Sequence, residues 1–285
     1  MRVDLHIHTT ASDGKLTPAQ VVEAAAGLGL EVIAITDHDS VDGIGSAMEA
    51  ARAFPKLTVI PGVEINTDIP GDEVHILGYC IDCANQELLD TLERMRNSRQ
   101  RRALKMVQKL ARLGVHIEWP RVLELAGGGA IGRPHVAQAM LERGYIASLQ
   151  EAFSRYIGRN GPAYAERERL TPAQATALVM KAGGLPVLAH PASLDRLNDL
   201  VIRLKGAGLV GLEAYYDGYS PEVTRSLVEL ARKHGLITCG GSDFHGLEGG
   251  VGAPLGSVTV PPEAAQQLIT LAQRSTEVRR HDPQR

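Results

Sequence analysis

Five short apolar runs of this chain each stop at a His, Asp or Glu, and the first and last of these stops lie at opposite ends of 285 residues. Asp4-Leu5-His6-Ile7-His8 opens the sequence, and Gly241-Ser242-Asp243-Phe244-His245 comes near its close. On an extended segment residues i and i+2 point to the same side, so His6 and His8 share one face. Buried imidazoles need partners, and several together are normally satisfied by a metal. The fold therefore has to bring the two ends of the chain to one multinuclear site.

The apolar runs alternate with helical periodicity. Strands are predicted at 3–7, 32–36, 57–65, 74–79, 185–189, 210–214 and 237–240. Helices are predicted at 18–28, 41–54, 172–182, 193–206, 221–234 and 262–273. Thr17, Thr171 and Ser220 precede three of them as N-caps, each followed by Pro, and Ser40 takes the same place before the second helix. Strands separated by helices argue for parallel βα units. After Tyr79 the alternation breaks, and residues 86–165 read as helical at 88–113, 120–125, 134–143 and 148–157, with turns at 127–129 and 158–162. The expected organisation is a core of residues 1–99 and 169–285 carrying the metal site, with an α-helical cap, 100–168, inserted between the fourth and fifth strands.

Composition narrows the function classes. Hydrophobic residues make up 44% and charged residues 22%, proportions of a globular rather than a disordered chain. Aromatics at 4% leave few stacking platforms for single-stranded nucleic acid. Three cysteines, with Cys80 and Cys83 as a lone C-x-x-C, make neither a disulfide framework nor a zinc ribbon. The sequence has no signal-peptide pattern and no long apolar span, so a cytoplasmic protein without a membrane partner or an obligate protein partner is expected. The net charge of −3 is unevenly spread. Residues 97–170 hold 13 Lys/Arg against 6 Asp/Glu, net +7, and the remainder is net −10. A basic lid over an acidic, metal-loading scaffold accounts for that split, as does a solvated Arg-rich helix pair.

In a (βα) barrel, chemistry sits at the carboxyl ends of the strands. His6 and His8 end the first strand, His38 follows the second, Glu64 ends the third and His75 lies on the fourth. His190 ends the fifth, Asp243 and His245 follow the seventh, and Asp13 lies in the first loop. Six imidazoles and three carboxylates without thiolate suit two or three divalent ions of the Zn, Mn or Fe kind. Glu64 can bridge two of them. Asp37 and Asp39 are read as supporting or capping groups, and His116, His234 and His281 as surface or packing residues.

Together, Asp4-Leu5-His6-Ile7-His8, Ser12-Asp13-Gly14, Thr36-Asp37-His38, Gly62-Val63-Glu64, His75, Ala189-His190-Pro191 and Gly241-Ser242-Asp243-Phe244-His245 resemble the motif set of the polymerase-and-histidinol-phosphatase (PHP) domain. The resemblance spans essentially residues 1–260. It implies an α/β fold, a distorted (βα)7 barrel, and a trinuclear phosphoesterase site. One metal would take His6, His8, Glu64 and Asp243; a second Asp13, His38 and His245; a third Glu64, His75 and His190.

Gly132-Arg133-Pro134-His135 places Arg133 and His135 around the first turn of a predicted helix, where Pro134 fits the first helical position and free N–H groups favour an anion. Arg159 lies in a Gly-rich turn. Both stretches look like those of PHP proteins similar to nucleoside 3′,5′-bisphosphate phosphatases and 5′-end RNA-trimming exonucleases. That likeness implies Arg133, His135 and, more weakly, Arg159 as phosphate contacts. The implied reaction is metal-assisted hydrolysis of a nucleotide phosphomonoester, with a nucleoside 3′,5′-bisphosphate as the leading small-molecule substrate and His190 or His135 as proton donor to the leaving group. The alternatives are 5′→3′ hydrolysis of short RNA, histidinol-phosphate hydrolysis and a non-catalytic PHP binding module.

Overall fold

The computed structural model describes residues 1–69, 72–127, 131–166, 170–246 and 253–281. The expected turn at 127–129 thus falls largely outside the described residues. The chain divides into two compact units, Met1–Asp90 with Leu170–Arg285, and Thr91–Arg169.

In the first unit, β1 (Val3–Asp4), β2 (Val32–Ile35), β3 (Thr58–Ile69) and β4 (Asp72–Tyr79) come first, with the helices α1 (Pro18–Gly27) and α2 (Ile44–Ala51) between the early strands. The 27-residue α3 (Gln86–Arg112) then leads into the second unit, where α4 (Trp119–Ala126), α5 (Arg133–Glu142) and α6 (Leu149–Ala152) follow. The first unit resumes with α7 (Pro172–Lys181), β5 (Leu185–Leu188), α8 (Leu197–Gly206), β6 (Gly211–Tyr216), α9 (Pro221–His234), β7 (Ile237–Gly241) and α10 (Pro262–His281).

The seven strands form one sheet in sequence order. It curls until its edges meet: Leu5 N–H donates to Gly240 O at 3.1 Å, His8 N–H to Phe244 O at 2.9 Å, and Ile7 bridges Phe244 in parallel. The result is a nearly closed α/β barrel. Strands β2 and β5 are buried at every position, as strands covered on both faces must be, and read accordingly as unbroken apolar runs. Val3, Leu5, Val32, Ala34, Ile60, Leu77, Tyr79, Val187 and Cys239 pack as one cluster with Leu268 of α10. Tyr79 braces this cluster by donating its hydroxyl to Leu5 O at 2.9 Å.

Two expectations are corrected. Not all units are parallel: β4 runs antiparallel to both β3 and β5. Its pairing with β3 extends from Gly62↔Tyr79 to Ile69↔Asp72, which leaves too few residues for the dozen or more that a parallel crossover needs. Because β4 is reversed, His75 near its start reaches the same barrel end as residues at the finish of the other strands. Ser40 does not cap α2, whose N-cap is Gly43. The Ser40 hydroxyl instead accepts Asp42 N–H at 3.2 Å, a local turn that competes with helix initiation. Thr17, Thr171 and Ser220 do cap their helices, each accepting the N–H of the third helical residue.

The second unit has its own core, built from Met106, Leu110, Val122, Val136, Met140 and Ile157. It starts at Thr91, within α3, which runs unbroken from Gln86 to Arg112 with no Gly or Pro. Helix α5 begins at Arg133, with extended Gly132 as N-cap, so Pro134 is its second residue rather than its first. Among the described residues no helix is long and apolar enough to cross a membrane.

Candidate metal centre

Four side-chain atoms from three segments meet at the carboxyl end of the barrel. His6 Nε2 stands 3.3 Å from Glu64 Oε2 and 3.2 Å from Asp243 Oδ1. His8 Nε2 stands 3.2 Å and 3.0 Å from the same two oxygens. All four atoms are buried and none has a hydrogen-bond partner; His75 Nε2 is likewise buried and unpartnered. Orphaned polar atoms each cost on the order of 1–3 kcal/mol, and a cluster of them aimed at one another is a set of lone pairs awaiting a cation.

Around this nucleus, three overlapping groups have ligand atoms mutually within 4.8 Å. They are His6, His8, Glu64 and Asp243; His8, Asp13, His38 and His245; and His38, Glu64 and His75. Glu64 belongs to two of them. Its Oε2 faces His6, His8 and His38, the last at 2.9 Å, while its Oε1 lies 2.8 Å from His75 Nδ1 and 3.1 Å from His190 Nε2. His190 thus stands beside Glu64 but outside the three groups. His38 shares two of them, and His8 joins Asp13, where the resemblance alone implies neither. The donors are imidazole and carboxylate throughout, a chemistry that fits divalent Mn, Zn or Fe.

The electrostatics follow from this crowding. Burial works against a charged His6, but Asp243, Glu213 and Glu64 lift its pKa well above the ordinary value. The same contest at His8, won by the negative charge of Asp243 and Glu64, leaves it at about 10. Burial would raise Glu64, yet His38, His6 and His75 hold it well below the carboxylate range. Asp243 is held down against burial by His6 and His8, and Asp13 by His38, His245 and His8. His75 goes the other way, since burial outweighs the attraction of Glu64. At His6 and His8 the proton so favoured occupies the place that a cation would take.

A surrounding layer holds these groups. Asp37 accepts from Thr9 N–H (2.7 Å), the Thr9 hydroxyl (2.8 Å) and the Ser12 hydroxyl (2.7 Å), which fixes the loop carrying Asp13. Asp39, at φ 49°, accepts Asn66 N–H at 3.0 Å, and Asn66 Nδ2 lies 3.0 Å from His38 Nδ1. Buried Asp4 accepts from Ser242 N–H, the Ser242 hydroxyl and Gly256 N–H, tying β1 to the segment that carries Asp243.

Sequence reasoning missed two neighbours of the site. Glu213, fully buried on β6, places Oε1 2.9 Å from His6 Nδ1 and accepts His190 N–H at 2.7 Å. Tyr216 donates its hydroxyl to Asp243 Oδ2 at 2.8 Å, and burial together with Asp243 pushes its pKa up. A lone acidic residue in the apolar run Gly211-Leu212-Glu213-Ala214 was a readable signal for the first. Nothing comparable marks Tyr216.

Arg133, His135 and Arg159 belong to the second unit, and all three are partly buried. The Arg133 guanidinium lies 5.6 Å from the Phe153 ring centroid. His135 Nδ1 accepts Gly132 N–H at 3.0 Å. Arg159 follows the π-helical turn Phe153–Ile157.

A barrel with imidazole and carboxylate groups clustered at its strand ends is the architecture of a metal-dependent hydrolase. The PHP domain family profile matches residues 4–277, and the chain belongs to that family. It is 37% identical over 247 residues to the 5′-3′ exoribonuclease Rnm of Salmonella typhimurium, covering 85% of this chain and 84% of the relative. It is 32% identical over 255 residues to the 3′,5′-nucleoside bisphosphate phosphatase of Chromobacterium violaceum, covering 85% and 87%. A solved structure from Bifidobacterium adolescentis, ascribed a metal-dependent phosphoesterase role, superposes with a TM-score of 0.82 at 31% identity, over 94% of this chain and 95% of that one. The protein is a phosphoesterase that acts on phosphoric ester bonds.

Proposed function

We propose that this chain is a divalent-cation-dependent phosphatase of a nucleoside 3′,5′-bisphosphate, releasing one phosphate and a nucleoside monophosphate, with Mn²⁺ as the working ion. The observation that carries the metal reading is the convergence of buried, unpartnered His6 Nε2, His8 Nε2, Glu64 Oε2 and Asp243 Oδ1. His6, His8, Glu64 and Asp243 would hold one ion; Asp13, His38 and His245 a second; Glu64, His75 and His190 a third, His38 standing close enough to share it. Bound cations supply charge neutralisation for the phosphoryl group and a nucleophile at neutral pH.

The chain's own groups do the rest. Glu64 would hold two ions, since one of its oxygens lies toward His6 and His8 and the other toward His75. Arg133 presents a planar fork to the phosphate oxygens, steadied against Phe153. His135, with Arg159, completes the anion contacts. When the His135 ring is neutral, the Gly132 N–H at Nδ1 leaves its proton on Nε2, where it can pass to the leaving alkoxide. His190 is the other candidate donor, in which case His38, Glu64 and His75 would hold the third ion without it. Support for the bisphosphate comes from the likeness to the Chromobacterium violaceum phosphatase and from the net +7 segment around residues 97–170.

A second reading, 5′→3′ hydrolysis of short RNA, is favoured by the higher identity to the Salmonella typhimurium exoribonuclease. The two share a 5′-phosphorylated nucleotide whose 3′ oxygen carries phosphorus, so one assay separates them. The Mn²⁺-loaded protein is offered a nucleoside 3′,5′-bisphosphate, a 5′-phosphorylated oligoribonucleotide and histidinol phosphate. Fastest release of inorganic phosphate from the bisphosphate supports the proposal; faster release of mononucleotides from the oligomer replaces it with the second reading.

A further inference from the structure

Strand β6 carries a register irregularity. Glu213 pairs with Cys239 and Tyr215 with Gly240, the next residue of β7, so Ala214 is an extra residue, a β-bulge. A regular strand would point residues 213, 215 and 217 to one face. The bulge resets that phase, and residues 213 and 216 both meet the metal centre.

Each then makes contacts that bear on ligand geometry. The Glu213 carboxylate spans two groups, Oε1 at His6 Nδ1 and Oε2 at the His190 amide. With a cation on His6 Nε2, the remaining imidazole proton must sit on Nδ1, where Glu213 receives it. His190 has φ 25° and ψ 56°, a conformation that L residues rarely adopt, and its amide is held by the other oxygen of the same carboxylate. Tyr216 takes Asp243 Oδ2, leaving Oδ1 as the oxygen that faces His6 and His8. Asp243 is itself at φ 52°. The Tyr216 ring also lies 5.5 Å, centroid to centroid, from that of His190.

We propose that Glu213 and Tyr216 are positioning residues of the metal centre, brought to it by the β6 bulge: Glu213 fixes the tautomer of His6 and the backbone of His190, and Tyr216 restricts Asp243 to a single ligating oxygen. This rests on the metal reading above and assigns neither residue a contact with an ion. Two ligands at strained backbone positions cannot hold their aim unaided, and β6 supplies the restraint on each.

The test uses the full chain stripped with chelator, as wild type, Glu213→Gln and Tyr216→Phe. Mn²⁺ is titrated calorimetrically, and Co²⁺ is added for its visible absorption, which reports ligand number and geometry. Both variants are expected to bind Mn²⁺ about ten- to a hundredfold more weakly and to shift the Co²⁺ bands, with thermal melting of the metal-free chain little changed for Tyr216→Phe. A folded variant with wild-type Mn²⁺ affinity and an unaltered Co²⁺ spectrum overturns the assignment for that residue. Should Glu213→Gln not fold, nitrogen-15 NMR of the Zn²⁺-loaded wild type decides: a proton on His6 Nδ1 is required, and one on Nε2 overturns the role of Glu213. Wild-type chain that takes up neither Mn²⁺ nor Co²⁺ overturns the metal reading itself; wild-type uptake with unchanged variants overturns only the role of β6.

Discussion

At the scale of single residues, the central carboxylate decides most. Glu64 gives one oxygen to the His6–His8–Asp243 nucleus and the other to the His75–His190 side. Glu64→Gln replaces a twofold anionic bridge with a neutral amide, so metal content should fall by more than one ion per chain and phosphate release should cease. Elemental analysis alongside turnover checks this, and full metal content with near-normal rate would count against the bridge. Arg133→Ala should behave oppositely, retaining metal while losing about 2–4 kcal/mol in kcat/KM if a charge-assisted phosphate contact is lost from the transition state. Unchanged kinetics would make Arg133 a surface residue.

Protonation adds a third outcome at this scale. His8 in the folded, metal-free chain titrates at about 10, above its ordinary 6.5. The stabilisation from its pairing is therefore complete below about pH 6.5 and is lost as pH rises through 10. Glu64 and Asp243, held below the carboxylate range, contribute in the opposite sense and lose their share only as pH falls into the acid. Cations need the His8 lone pair that the proton occupies, so their binding releases protons and strengthens with pH. Melting curves in chelator should show stability declining from pH 6.5 toward 10, with added divalent cation reversing the decline. A metal-free chain whose melting temperature holds steady over that range would contradict the pairing.

At the scale of elements, the strands were legible because fully buried strands are unbroken apolar runs, as in Val32–Ile35 and Leu185–Leu188. Helix starts were legible where Thr or Ser precedes Pro, and illegible at Ser40, whose hydroxyl makes a turn instead. The direction of β4 was legible in principle, from the shortness of the connection behind it. Strand alternation carries no such information about bulges: one inserted residue at Ala214 brings Tyr216 to Asp243, and no period-two reading of β6 would place it there. Most of the metal candidates were readable because they lie at or just past the end of an apolar run, and Glu213 because it stands alone among apolar neighbours, whereas Asn66 and Tyr216 sit within strands and look like any other polar residue of a sheet. Closure of the barrel depends on a close approach that sequence does not announce. A Cβ on Gly241 would collide with the backbone N of His6 and stand 2.7 Å from Asp4 Oδ1. Gly241→Ala should therefore cost about 1–3 kcal/mol, from overpacking, and weaken metal binding by displacing His6. Gly27→Ala, with nothing within 4 Å of the added carbon, should leave both unchanged or slightly improved. Melting and metal titration of the pair distinguish a packing constraint at the β1–β7 seam from a general intolerance of substitution.

At the scale of the whole molecule, charge is partitioned along the sequence, with residues 97–170 at net +7 and the remainder at net −10. On the proposed function, one phosphate of the substrate would meet the cations held by the barrel, and Arg133 and Arg159 would meet another. A substrate with two phosphates can use both, and the binding energy of the remote one then orients the reacting one. A nucleoside 3′,5′-bisphosphate should accordingly show higher kcat/KM than either matching monophosphate. The advantage should shrink as ionic strength rises, since the Debye length falls from about 10 Å at 0.1 M salt to about 3 Å at 1 M and exposed contacts are screened first. The comparison is made with one metal ion at two salt concentrations, and Arg133→Ala should narrow the gap between bisphosphate and monophosphate. A monophosphate or histidinol phosphate that proves the better substrate removes the bisphosphate assignment while leaving the metal centre intact, because the nucleus of His6, His8, Glu64 and Asp243 makes no demand on the second phosphate.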